Sequence, residues 1–87
     1  MQAIIKGIKY DTETAQCVFQ YIAKKSFRFF VPRIQNLFKK KNGELFLEFI
    51  DEKSHYLLPF TDTQAKEWAV KFLTVKQYEF IFGQVSE

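Results

Sequence analysis

Chemistry-bearing side chains are scarce in this sequence. Cys17 is the only cysteine and His55 the only histidine, so one chain cannot assemble a zinc site from the usual three or four nitrogen and sulfur ligands. A single thiol also excludes an internal disulfide and fits a reducing compartment, with Cys17 expected to be a small buried hydrophobe. The three glycines, Gly7, Gly43 and Gly83, stand far apart, which leaves no glycine-rich loop to cradle a phosphate. Prolines number two, and no linker, repeat or low-complexity stretch interrupts the chain. Nowhere is there a run of roughly 18 apolar residues that could cross a bilayer, nor an apolar leader at the N-terminus. The protein is therefore expected to remain in the cytoplasm of the cell that makes it, without a membrane.

Aromatic residues are plentiful by contrast. Eleven Phe, four Tyr and one Trp occur in 87 residues. A chain this short forms one domain, here residues 1–87, and buries only about 60–65% of the surface that its unfolded form exposes. Large rings supply the apolar area it needs. Their number also exceeds what one small core hides, which points to aromatic surface for a partner or for a second copy of the chain.

The net charge of +3 is unevenly distributed. Between Thr14 and Gly43 stand Lys24, Lys25, Arg28, Arg33, Lys39, Lys40 and Lys41 with no acid, whereas the rest of the chain carries six cations and ten acids. Such asymmetry suits an acidic partner, nucleic acid first among them. Lysines also keep exposed strands and turns soluble, and the sequence does not decide between the two. Phe27-Arg28-Phe29-Phe30 beside Lys24-Lys25 has the composition of a surface that stacks on bases and follows phosphates, and equally that of a half-buried strand. The candidate binding residues are thus Lys24, Lys25, Arg28, Phe30, Arg33, Lys39, Lys40 and Lys41, with the aromatic face around Phe30 and Phe46 as the fallback.

The spacing predicts an α+β fold: a small antiparallel sheet of four to six short strands, built around a central Asn-Gly hairpin and covered by a C-terminal helix and a second short helix. Ala3–Ile5 and Ile8–Tyr10 flank Lys6-Gly7, a tight turn. Asp11–Thr14 reads as a polar turn. Cys17–Ile22 reads as a strand, with a short capped helix as the competitor. Asn42-Gly43 predicts a two-residue turn that sets Lys41 opposite Glu44, Phe38 opposite Leu47 and Asn36 opposite Phe49. Ile34, Phe38, Leu45, Leu47 and Phe49 then form the core face, and Leu37, Lys39, Phe46, Glu48 and Ile50 a mixed surface. Pro32 implies a bulge, edge or bend near Val31, and Pro59 an edge position or the strand end for the strand over residues 55–60.

Two capping boxes follow, Thr61-Asp62-Thr63-Gln64 and Thr74-Val75-Lys76-Gln77, each opening a helix. Ala65, Trp68, Ala69, Phe72 and Leu73 form one apolar stripe, and Tyr78, Ile81 and Phe82 a second that Gly83 ends. Trp68 belongs to the core on this reading.

Catalysis has little support in these residues. Ser54 and His55 adjoin each other near Asp51, yet neighbours in sequence seldom provide the geometry of a triad. Glu44, Glu48, Asp51 and Glu52 could hold a hard cation and read better as the solvated, charge-balancing side of the hairpin. No cofactor and no enzymatic activity are expected.

Ile4-Ile5-Lys6-Gly7-Ile8-Lys9-Tyr10-Asp11-Thr12-Glu13-Thr14-Ala15 resembles the opening of a family of small proteins carried by phages, plasmids and conjugative elements of Firmicutes. Leu37–Leu47 is similar to that family's hairpin, and Leu58-Pro59-Phe60-Thr61 with Ala65–Trp68 to the start of its helix. The chain departs from the family by lacking a glycine-rich insertion after the hairpin. Type II anti-CRISPR proteins are among the family's members. The resemblance therefore implies a protein that inhibits a type II CRISPR effector nuclease by binding it or its guide RNA. The alternative is a nucleic-acid-binding accessory protein of a phage or conjugative element without that activity.

Overall fold

The computed structural model describes residues 1–25 and 31–83. Among them the elements run β1 (Gln2–Ile5), β2 (Ile8–Asp11), β3 (Gln16–Lys25), β4 (Val31–Lys39), β5 (Leu45–Ile50), β6 (His55–Phe60), α1 (Asp62–Phe72) and α2 (Val75–Phe82). The strands form two antiparallel sheets, β1-β2 and β3-β4-β5-β6, in which each strand lies beside its neighbour in sequence. This is the α+β architecture that the spacing predicts.

The first hairpin turns through Lys6 (φ 53°) and Gly7 (φ 79°), the left-handed pair of a type I′ turn. The second differs from expectation. Its loop takes three residues, Lys41–Gly43, closed by Lys40 N–H donating to the Glu44 carbonyl at 2.8 Å, with Gly43 N–H donating to the Lys40 carbonyl at 2.9 Å. Only Gly43 (φ 92°) is left-handed in that loop, the signature of a type I turn followed by a glycine. The extra loop residue moves the register by one, so Phe38 faces Phe46, Leu37 faces Leu47 and Asn36 faces Glu48.

A one-residue slip exchanges faces, and the predicted division of side chains is corrected accordingly. Leu37, Leu45 and Leu47 point to one side and pack under Ala65, Trp68 and Ala69 of α1. Phe38, Phe46 and Leu57 point to the other and pack with Tyr10, while Ala3 and Ile5 of the N-terminal hairpin close over them. The expected mixed surface is thus a second core face. Leu37 and Phe46, both assigned to that surface, are fully buried, and burying side chains of this size stabilises by roughly 1.5–3 kcal/mol each.

Pro32 faces only Lys24 of β3, because the pairing of β4 with β5 begins at Ile34. Its missing N–H therefore costs no bond on the β5 side. The irregularity in the sheet lies instead between Cys17 and Phe19, and Cys17 is exposed there, not buried as expected. Pro59 lies on the edge strand β6.

Both capping boxes are formed. Gln64 N–H donates to Thr61 Oγ1 at 3.1 Å and Thr61 N–H to Gln64 Oε1 at 3.1 Å; Thr74 and Gln77 repeat the exchange at 3.2 and 2.9 Å. Ala65 and Ala69 are fully buried, and their small side chains let α1 lie close to the sheet. Trp68 is core, with Nε1–H donating to Gln35 Oε1 at 2.9 Å. Tyr78, Ile81 and Phe82 of α2 extend this layer, and Gly83 (φ 93°) follows the helix. Among the described residues no helix is long and apolar enough to cross a membrane.

Candidate functional site

The β4–β5 loop is built firmly. Asn42 Oδ1 accepts Glu44 N–H at 2.9 Å, and Asn42 Nδ2 donates to the Glu44 carboxylate at 2.5 Å. This frame holds the three lysines of the tip in different directions. Lys39 shares the helix-bearing face with Leu37, by the alternation of the strand, and is exposed. Lys40 lies against the other face, its ammonium 4.3 Å from the centre of the Tyr10 ring and 4.0 Å from Glu44. Lys41 is exposed at the loop itself.

Opposite the loop stands the turn after β2. Asp11 is buried and organises it: Glu13 N–H donates to Oδ1 at 2.9 Å, and Gln2 Nε2 to Oδ2 at 3.0 Å. The Glu13 N–H holds the Asp11 carboxyl below its ordinary range; desolvation opposes this, and Gln2 and the Lys9 charge add to it. Met1 ammonium donates to Thr12 Oγ1 at 2.9 Å. Between this turn and the β4–β5 loop lies a cleft of about 320 Å³ lined by Lys9, Asp11, Thr14, Ala15, Lys40, Lys41 and Asn42.

The structure brings together part of the predicted set and separates the rest. Lys40 and Lys41 meet at the cleft, while Lys39 points to the helix-bearing face. Arg33 is exposed on β4 six residues from Lys39, about 20 Å away at strand rise. Of Lys24 and Lys25 only the backbone is described, paired with Pro32 and Val31 at the far end of the β3–β4 ladder, about 26 Å from Lys39. Arg28 and Phe30, with Phe27 and Phe29, lie outside the described residues. The basic segment is thus contiguous in sequence but extended in space. Lys9 joins the cleft from an acid-bearing part of the chain, and no local charge count could have placed it there. Phe46 is fully buried under Tyr10, with ring centroids 5.4 Å apart, which removes it as an aromatic contact.

A second concavity, of about 420 Å³, opens between α1 and the β5–β6 strands. Phe49 and Tyr56 stack there at 5.2 Å, beside Leu58, Trp68 and Phe72. Glu67 and Lys71 stand at its margin, so it carries no surplus of either charge.

On the hairpin-bearing face a polar row crosses the sheet. Gln20 Nε2 donates to Asn36 Oδ1 at 2.8 Å, Asn36 Nδ2 to Glu48 Oε1 at 2.9 Å, and His55 Nε2 meets Glu48 Oε2 at 2.7 Å. Glu48 is therefore buried and partnered, a correction to its expected place among solvated acids. Asp51 Oδ1 accepts the N–H groups of Lys53 and Ser54 and shapes the β5–β6 turn. His55 thus faces Glu48, while Asp51 is committed to backbone. Among the described residues no group of three or more His, Cys, Asp or Glu could hold a metal ion.

Comparison with known protein families, curated proteins and solved structures finds no match to this chain.

Proposed function

We propose that this chain is a non-enzymatic binding protein of a mobile genetic element, which inhibits a type II RNA-guided nuclease by contacting the nuclease or its guide RNA through the lysine-bearing β4–β5 tip. One observation carries the reading. Two of the three segments that resemble the mobile-element family, Ile4–Ala15 and Leu37–Leu47, are distant in sequence yet line one cleft, and its uncommitted charges are lysines. A positive surface at that cleft favours a polyanionic partner and speeds encounter with it.

The test is co-elution of the purified protein with a type II effector, with and without guide RNA, alongside a cleavage assay. The reading expects co-elution and loss of cleavage, both reversed by Lys39→Glu, Lys40→Glu and Lys41→Glu together. Charge reversal at Lys66 and Lys76, exposed on the helices, should change neither. Retention of free RNA or DNA with undiminished cleavage would instead establish the accessory nucleic-acid-binding protein. Absence of binding to effector and nucleic acid alike would overturn both.

A further inference from the structure

Resting on that reading, we infer that the cleft between β2 and the β4–β5 loop receives a backbone phosphate of a nucleic-acid strand, with Lys9 as a contact residue beside Lys40 and Lys41. The charges in the cleft are unequal in freedom. Its one acid, Asp11, is 6% exposed and has both carboxylate oxygens occupied by Glu13 N–H and Gln2 Nε2. Its carboxylate stays ionised but fixed in the turn, so the three lysines of the cleft face one negative charge there. Lys40 is pinned over the Tyr10 ring and beside Glu44, with 19% of its side chain exposed. An ammonium already ordered loses little further conformational freedom on meeting an anion. Lys9 and Lys41 are exposed and make no ion pair among the described residues. They supply the surplus positive charge.

The arrangement suits phosphodiester better than the carboxylates of an acidic protein surface. Phosphates recur along a strand, so a nucleic acid seated in the cleft meets Lys9 on the β2 side and Lys41 on the loop side, whereas Arg33 shares the parity of Lys39 and lies on the opposite, helix-bearing face. The lining presents separate ammonium groups, point charges that can each hold one phosphate oxygen. Cleft size agrees: about 320 Å³ admits a phosphate group with its water.

A fluorescein-labelled single-stranded RNA of about 20 nucleotides, titrated by anisotropy across a range of potassium chloride concentrations, provides the test. Each phosphate contact on a single strand contributes a slope of about 0.7 to log K against log salt, hence about five-fold in affinity near 0.1 M salt. Lys9→Gln should show that loss in both slope and affinity, Lys9→Arg should restore them, and Lys66→Gln should match the unaltered protein. If Lys9→Gln binds as the unaltered protein while triple reversal at Lys39–Lys41 abolishes binding, the cleft is not the phosphate site and the tip remains the contact. If the protein binds an effector nuclease but no RNA, the inference fails and the functional reading stands on a protein contact. If it binds neither, both fail.

Discussion

Asn36 and Glu48 stand directly opposite each other on β4 and β5, and the Asn36 amide donates to the Glu48 carboxylate at 2.9 Å in a buried position. The pair makes the sheet sensitive to acid. Burial raises the Glu48 pKa, but hydrogen bonds from Asn36 and His55, with the His55 charge, outweigh it, and the carboxyl sits below its ordinary value of 4.5. A folded-state pKa lower than the unfolded one contributes stability that is complete above the unfolded value and is lost as the pH falls through the folded one. Urea midpoints should hence be level above roughly pH 5, on this account, and decline below it. Asp11 acts in the same direction, so Glu48→Gln should make the decline shallower without removing it. An unchanged acid limb in Glu48→Gln would show that other carboxylates dominate.

Replacing Glu48 by Ala leaves Asn36 and His55 facing an empty acceptor position. A buried group deprived of its partner costs about 1–3 kcal/mol. Chemical denaturation at neutral pH should record a loss in that range.

Both faces of the four-stranded sheet are core, so Leu37→Ala and Phe46→Ala should each destabilise heavily, by about 2–5 and 3–5 kcal/mol respectively. Equilibrium unfolding monitored by Trp68 fluorescence measures both. Tolerance of Phe46→Ala would mean that the N-terminal hairpin does not cover that face in solution.

The capping residues separate two helices of different weight. Thr61→Ala and Thr74→Ala each remove one capping bond, worth about 0.5–2 kcal/mol. α1 carries Ala65, Trp68 and Ala69 into the core, whereas α2 has no fully buried residue. Thr61→Ala should therefore lower global stability, while Thr74→Ala should mainly speed amide hydrogen exchange within α2.

Lys6 is the one non-glycine residue with positive φ among those described. The left-handed region is costly for a residue with an unbranched polar stem and easier for asparagine. Lys6→Asn should raise stability by up to about 1 kcal/mol, read as a higher Tm.

The features legible in the sequence were those fixed within a few residues. Thr61 with Gln64 and Thr74 with Gln77 satisfy each other's backbone groups locally, so their spacing alone identifies them. The helical stripe from Ala65 to Leu73 is likewise a property of one element. The register of the central hairpin was not legible, because Asn42-Gly43 fits both a two-residue turn and the three-residue loop adopted here, and the two differ by one position along every pair. The unbroken run Leu45-Phe46-Leu47 was the available signal that both faces are buried, since a strand exposed on one side alternates. Lys9 escaped notice because its neighbours across the cleft lie some thirty residues away in sequence.

Every strand in both sheets pairs with the strand made just before or just after it. This arrangement bears on how the chain acquires its structure. Nearest-neighbour hairpins close short loops, which keeps contact order low and favours rapid folding. The four-stranded meander can form in step with synthesis, from the N-terminus onward. One face has to wait. Leu37, Leu45 and Leu47 find their cover only when Ala65, Trp68 and Ala69 have been added. Until α1 docks, this half-covered sheet is the species that chaperones would engage, and it is the stage at which aggregation competes most strongly with folding.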